Sequence, residues 1–156
     1  MASDKQPKKT VEIENRKARF DYHIEETFEA GIMLKGTEVK SIRAGEASLV
    51  DSYAWVRDDE AWLSGMYIKH YAFGSYANVE ERRDRKLLLH KKEIHEIEKG
   101  ITRKGYTLVP LKLYFKTGKA KVLIGLARGK KQYDKRETIR AKDEQREMDR
   151  KLKNVR

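Results

Sequence analysis

From Ala18 onward, apolar residues fall at every second position: Ala18, Phe20, Tyr22 and Ile24, then Phe28, Ala30, Ile32 and Leu34. A period of two marks a half-buried strand, because successive side chains point to opposite faces. Glu26 breaks the apolar face, which predicts a long strand bent by a bulge near Glu25–Thr27. The rhythm then changes over Gly36-Thr37-Glu38-Val39-Lys40-Ser41-Ile42-Arg43-Ala44-Gly45. Thr37 can cap, Val39 and Ile42 sit three apart and Gly45 can terminate, so a short helix is expected. Leu49 to Arg57 and Ala61 to Lys69, rich in aromatic and β-branched residues, read as a hairpin turning at Asp58-Asp59-Glu60. Tyr106 to Lys116 and Lys119 to Arg128 read as a second hairpin across Thr117-Gly118. Between the hairpins, Leu87, Ile94, Ile97 and Ile101 recur at helical spacing, with Lys99 and Gly100 as end signals and His90 to Glu93 as a weak capping box.

At least five strands and two short helices in one body predict a mainly β fold. The best fit is an OB-fold-like Greek-key β-barrel with a helix inserted late in the order. The pattern fades at Gly129. Of Ile, Leu, Val and Phe, the first 127 residues hold 31; the last 29 hold only Ile139, Leu152 and Val155. That is too little apolar surface to offset the entropy of ordering the segment. The expected organisation is a flexible N-terminal arm over 1–14, a barrel over 15–128, and a basic C-terminal tail over 129–156, disordered in isolation.

Charge sharpens this picture. The chain carries 36 Lys and Arg against 25 Asp and Glu, a formal charge of +11. Residues 128–156 alone hold twelve of those cations and six of the acids. Such a surplus points to a polyanionic partner, nucleic acid first. Zero Cys excludes a disulfide scaffold, thiolate zinc sites and Cys catalysis. No apolar run approaches the ~18 residues of a membrane helix, and the charged stretch Met1–Thr10 is no secretory signal, so a cytoplasmic protein off the membrane is expected. His90 and His95, five apart, fall on different helix faces instead of forming the i, i+4 metal pair. Phosphate-binding glycine loops are missing. Asp51-Ser52 and Asp58-Asp59-Glu60 read as a strand end and a turn. No enzyme, metal or cofactor is expected.

Binding chemistry is richer. Arg16, Lys17 and Arg19 precede the first strand, and Lys35, Lys40 and Arg43 flank or occupy the first helix. Arg82, Arg83, Arg85, Lys86, Lys91 and Lys92 bracket Leu87-Leu88-Leu89. These are phosphate-contacting residue types. The three leucines are either all buried, or alternate so that Leu88 faces out to touch a base or ribose. Tyr133, set in Lys130-Lys131-Gln132-Tyr133-Asp134-Lys135-Arg136, has no core to enter and can stack on a base. Glu147/Lys151 and Asp149/Lys153 are i, i+4 pairs beside a thin stripe of Met148, Leu152 and Val155, a segment able to become helical inside a polyanionic channel. Two other classes stay open. One is a generic OB-fold RNA-binding or ribosomal protein; the other is an RNA hydrolase using acids such as Asp51 and Asp58.

Ordered along the chain, Asn15-Arg16-Lys17-Ala18-Arg19, Phe28-Glu29-Ala30-Gly31-Ile32, the Gly36–Gly45 segment, Asp51-Ser52-Tyr53, Arg85-Lys86-Leu87-Leu88-Leu89-His90, Gly105-Tyr106-Thr107-Leu108-Val109-Pro110-Leu111 and Gly129–Arg136 resemble the SmpB family. Members of that family bind tmRNA (SsrA RNA) in bacteria. The resemblance implies an OB-fold barrel bound to the tRNA-like domain of tmRNA. The complex enters the A site of a stalled ribosome, and the tail folds as a helix in the vacant mRNA channel, standing in for a codon–anticodon pair. Trans-translation then tags the nascent peptide for degradation and frees the ribosome.

Implied partners are tmRNA and the ribosome through its 16S and 23S rRNA. Elongation factor Tu and alanyl-tRNA synthetase are implied only through tmRNA, and the protein itself is expected to be a monomer. By position, RNA contact carries over to Glu29, Leu88, His90 and Lys121. The segment of Lys40, Ser41 and Arg43 supports them, and Arg16, Lys17, Arg19, Arg85 and Lys86 join the expected tmRNA contacts as phosphate-contacting cations. Decoding-centre and channel roles carry over to Gly129, Lys130, Lys131, Tyr133, Asp134, Lys135 and Arg136, with Arg140 added from the tail. His90 stands where some members have Asn, and its imidazole can still donate. Tyr133 stands where some have His, which favours stacking.

Overall fold

A computed structural model describes residues 11–73, 78–103, 105–130 and 132–154. In chain order the elements are β1 (Ile13–Glu14), α1 (Arg16–Asp21), β2 (Tyr22–Ile32), α2 (Gly36–Arg43), β3 (Ala47–Ser48), β4 (Tyr53–Arg57) and β5 (Glu60–Ser64). Then follow β6 (Tyr67–Ile68), β7 (Arg85–Leu88), α3 (Lys91–Ile101), β8 (Tyr106–Lys116), β9 (Lys119–Gly129) and α4 (Gln132–Asn154). All pairings are antiparallel, in the order β1-β8-β4-β5-β7-β2-β9. Because β8 also pairs β9, the sheet closes into a barrel of β8, β4, β5, β7, β2 and β9. Closure removes the exposed edges that an open sheet would leave. The mainly β, OB-like barrel read from the sequence is the architecture observed.

The period of two decides what fills it. Phe28, Ala30 and Ile32 of β2 point inward, with Leu63, Leu87, Leu108, Leu113, Ile124 and Leu126 from the other strands. α3 closes one side through Ile94 and Ile97, both buried. Both hairpins turn on two residues at positive φ: Asp58 and Asp59 (52° and 60°), and Thr117 and Gly118 (49° and 77°). Such turns match the right-handed twist of the strands they join. The bulge expected near Glu25–Thr27 is present as a register shift between Ile24 and Glu26.

Several expectations are corrected. Ala18 and Phe20 are not strand residues but part of α1, so the described residues contain four helices instead of two. The reason is Asn15. Its side-chain oxygen accepts the Ala18 N–H at 3.2 Å, and its amide donates to the Leu49 and Pro110 carbonyls at 3.2 and 3.0 Å. Long-range bonds to a buried cap outweigh a local alternation. The first hairpin is shorter than expected: Leu49–Ser52 forms a turn, with Asp51 at φ 63°, and Tyr67–Ile68 pairs with β3 instead. Leu87 belongs to β7, not to the helical stripe. Of the arm expected over 1–14, Ile13 and Glu14 form β1, paired with Leu113 and Lys112 of β8, and residues 1–10 lie outside the described residues.

Within the basic tail, Gln132–Asn154 forms the helix α4. Its residues are strong helix formers, and Arg140–Glu144 (3.5 Å) and Gln145–Asp149 (3.1 Å) are i, i+4 contacts along it. Its attachment to the barrel lies at its start, where Lys135 reaches Asp21 at 3.1 Å.

Candidate nucleic-acid interface

On the outer face, Gly31 of β2 sits opposite both Leu88 of β7 and Lys121 of β9. One groove of about 380 Å³ collects Glu29, Gly31, Leu88, Leu89, His90, Glu93 and Lys121. Glu29, Leu88, His90 and Lys121 thus converge from three strands and the cap of α3. The leucines alternate: Leu87 is buried, Leu89 packs partly against the core, and Leu88 stays 50% exposed. Gly31 keeps the floor open, since a Cβ there would lie 3.2 Å from that of Leu88. His90 is held by the capping glutamate, whose carboxylate accepts the His90 N–H at 3.2 Å.

Glu29 is oriented by neighbours the sequence reading did not name. The Tyr114 hydroxyl donates to one carboxylate oxygen, and Lys116 approaches the other at 3.4 Å. The Tyr114 bond, with Lys116 and Lys121, holds the Glu29 carboxyl below its ordinary range. Burial and the bond to Glu29 push the Tyr114 hydroxyl up to about 12, so it remains a donor at neutral pH. A carboxylate takes about four hydrogen bonds. Glu29 therefore keeps acceptor capacity for a base amino group or a ribose 2′-hydroxyl. Tyr114 was findable, since it lies between the inward-facing Leu113 and the apolar Phe115 and so faces outward.

The flank of the groove is cationic. A neighbouring groove joins Val39 of α2 to Gly31, Leu88, Lys119 and Lys121. On α2, the Lys40 ammonium lies 5.2 Å from the Tyr71 ring and the Arg43 guanidinium 4.8 Å from that of Phe115. Lys86 is outward on β7 and pairs with Glu60 at 3.3 Å. Two proposed contacts are corrected. Arg85 and Ser41 are 0% exposed, so neither can touch an RNA. Arg85 is instead bonded to Glu38 at 2.6 Å.

Arg16, Lys17 and Arg19 belong elsewhere. They sit on α1 at the opposite end of β2 from Gly31, roughly 30 Å along an eleven-residue strand. There Lys17 pairs with Asp51 at 3.1 Å. The same end holds Gly129, paired with Tyr22, and Lys130, whose N–H donates to the Asp21 carbonyl at 2.8 Å and whose ammonium bonds Thr138 at 3.1 Å. Lys135 adds its contact over the Phe20 ring at 5.8 Å. Arg136 and Arg140 are exposed on α4. Lys131 lies outside the described residues, as do the side chains of Tyr133 and Asp134, whose backbones are in α4. Asp51 and Asp58, the acids of the hydrolase alternative, lie beyond opposite ends of β4. Among the described residues no group of three His, Asp or Glu could hold a metal, and no helix is long and apolar enough to cross a membrane.

The family model described as "SmpB protein" matches residues 12–154. The SsrA-binding protein of Shouchella clausii is 57% identical over 143 residues, 92% of each chain. That of Ligilactobacillus salivarius is 53% identical over 154 residues, 99% of each. A solved structure described as "tmRNA-SmpB: a journey to the center of the bacterial ribosome" superposes with a TM-score of 0.67 at 54% identity. It covers 83% of this chain and 95% of its own. The match spans barrel and basic tail alike, and the chain belongs to the SmpB family.

Proposed function

We infer that this protein binds tmRNA through the barrel and acts with it on stalled ribosomes in trans-translation. The observation that carries the reading is the convergence of Glu29, Leu88, His90 and Lys121 on one groove, continued by a second that Val39 of α2, the helix of Lys40 and Arg43, lines with Lys119 and Lys121. The family match, and relatives named for binding SsrA RNA, support it. Leu88 packs on a base or ribose, Glu29 accepts from the RNA, and Lys121, Lys40 and Arg43 meet phosphates. The tail, with Gly129 to Arg136 and Arg140, occupies the mRNA channel in place of a codon–anticodon pair. The protein works in the cytoplasm by binding, not by catalysis, with no cofactor. Elongation factor Tu and alanyl-tRNA synthetase reach it through tmRNA.

The test is the affinity of Glu29→Ala and Leu88→Ala for tmRNA, beside bulk tRNA as competitor. Each variant should bind tmRNA about tenfold or more weakly, with an unchanged thermal midpoint. Normal affinity in both, or a wild type that does not prefer tmRNA to bulk tRNA, removes the barrel assignment.

A further inference from the structure

Beside the Leu88 groove the outer face of the barrel carries an aromatic row. The Met33 N–H donates to the Lys86 carbonyl at 3.0 Å, Lys86 lies opposite Trp62, and Trp62 lies opposite Trp55. Lys86 is two positions before Leu88 on β7, so both face outward, roughly 7 Å apart. A third groove of about 380 Å³ is lined by Met33, Leu34, Lys35, Trp62, Arg83 and Lys86. It shares Leu34 with the groove of Gly31, Val39 and Leu88, which in turn shares Gly31, Leu88 and Lys121 with that of Glu29 and His90. The three form one continuous track.

The aromatic end of this track is rigid. The Trp55 indole N–H donates to the Ser64 hydroxyl at 2.7 Å, and Ser64 donates to Asp84 at 2.7 Å. Trp62 stacks on Trp55 with centroids 5.9 Å apart and planes 16° off parallel. A ring already fixed in place loses little entropy when something stacks on it. The nearby acids are occupied: Glu60 pairs with Lys86, and Glu38 with Arg83 and Arg85. What remains toward solvent is part of the half-buried Trp62 ring, a 53% exposed Met33 and Lys35, beside the ion-paired Lys86 and Arg83. That combination matches an unpaired nucleotide, whose base is flat and apolar on its faces and whose backbone is anionic.

We propose that Trp62, with Met33, Lys35 and Lys86, is a second base-binding subsite. It stacks an unpaired base of the same RNA that the Leu88 groove engages. The proposal rests on the tmRNA-binding reading and extends it along the barrel. The chain has two tryptophans, both in this row, so tryptophan emission reports on this face alone. The experiment titrates full-length protein with end-labelled tmRNA, reading RNA anisotropy and tryptophan emission together, and acrylamide quenching at saturation. Emission should fall in step with anisotropy, and quenching by acrylamide should drop about twofold as the stacked base shields the ring. Trp62→Leu should bind about tenfold more weakly. Lys35→Ala/Lys86→Ala should flatten the salt dependence by roughly one to two units of slope. If the leucine variant fails to fold, the wild-type titration still decides. RNA that binds with unchanged emission and acrylamide access overturns the subsite and leaves the face to another occupant, such as an apolar protein segment. RNA that does not bind at all overturns both the subsite and the reading beneath it.

Discussion

Arg85 shows how a residue type can mislead about its work. It stands in a basic run, yet its guanidinium is buried and fully partnered. It bonds Glu38 at 2.6 Å, the Met66 carbonyl at 2.8 Å and the Glu81 carbonyl at 3.1 Å. Glu38 lies in the first turn of α2 and also accepts the Lys35 N–H at 2.9 Å. The pair therefore pins α2, which carries Lys40 and Arg43, to β7, which carries Leu88. Burial alone would push the Glu38 carboxyl up. Bonds from Arg83 and the Lys35 N–H, with the Arg85 charge, more than offset this and hold it below its ordinary 4.5. Glu38→Gln leaves Arg85 buried without its counter-charge and should cost about 3 kcal/mol at pH 7 in a denaturant titration. A carboxyl depressed on folding stabilises fully above its unfolded value and loses that contribution as the pH falls through its folded value. The gap between wild type and variant should therefore be constant above about pH 4.5 and close below it. A gap that widens on acidification contradicts the ion pair.

Among the elements, those set by local rules were legible and those set by distant partners were not. The β8–β9 hairpin follows from alternation on both strands and a turn dipeptide, and it forms where expected. The bulge in β2 follows from one misplaced glutamate. α1 was not legible, because its cap bonds carbonyls 34 and 95 residues away. The groove was readable where period two turns a side chain outward, as at Leu88 and Tyr114. It was not readable at Arg85, whose burial depends on a partner 47 positions distant. The tail sits between these cases. Its i, i+4 pairs encode a helix, but Ile139, Met148 and Leu152 are exposed, and Lys130 and Lys135 at its start hold it to Asp21 of α1. Isolated helices in water are marginal without tertiary packing. Amides beyond Arg140 should therefore exchange far faster than those of β9 in the free protein, and slow markedly when the complex is on the ribosome. Hydrogen exchange with mass spectrometry reads both states. Equal protection of α4 and β9 in the free protein would show that the helix needs no partner.

At the scale of the molecule, the closed barrel separates two cationic ends. The groove end holds Glu29, Leu88 and Lys121; the other, about 30 Å away along β2, gathers α1, Gly129, Lys130 and the start of α4. Two RNAs can then be held at once without competing for the same phosphates. The barrel also completes itself before the tail begins, because β9 ends at Gly129 and its pairing with β8 runs from Arg128 to Lys119. Truncation after Gly129 should leave the fold intact. It removes the contacts of Lys130 and Lys135 with Asp21, which lies at the end remote from the groove. The truncated protein should bind tmRNA within about threefold of wild type, with an unchanged salt slope, while peptide tagging on stalled ribosomes is lost. The slope is the discriminating quantity, since each phosphate contact contributes roughly 0.7 to 0.9 to it. If the tail instead gripped tmRNA, truncation would flatten the slope in proportion to the contacts removed, and the loss of tagging would then follow from weak capture of the RNA instead of an empty mRNA channel.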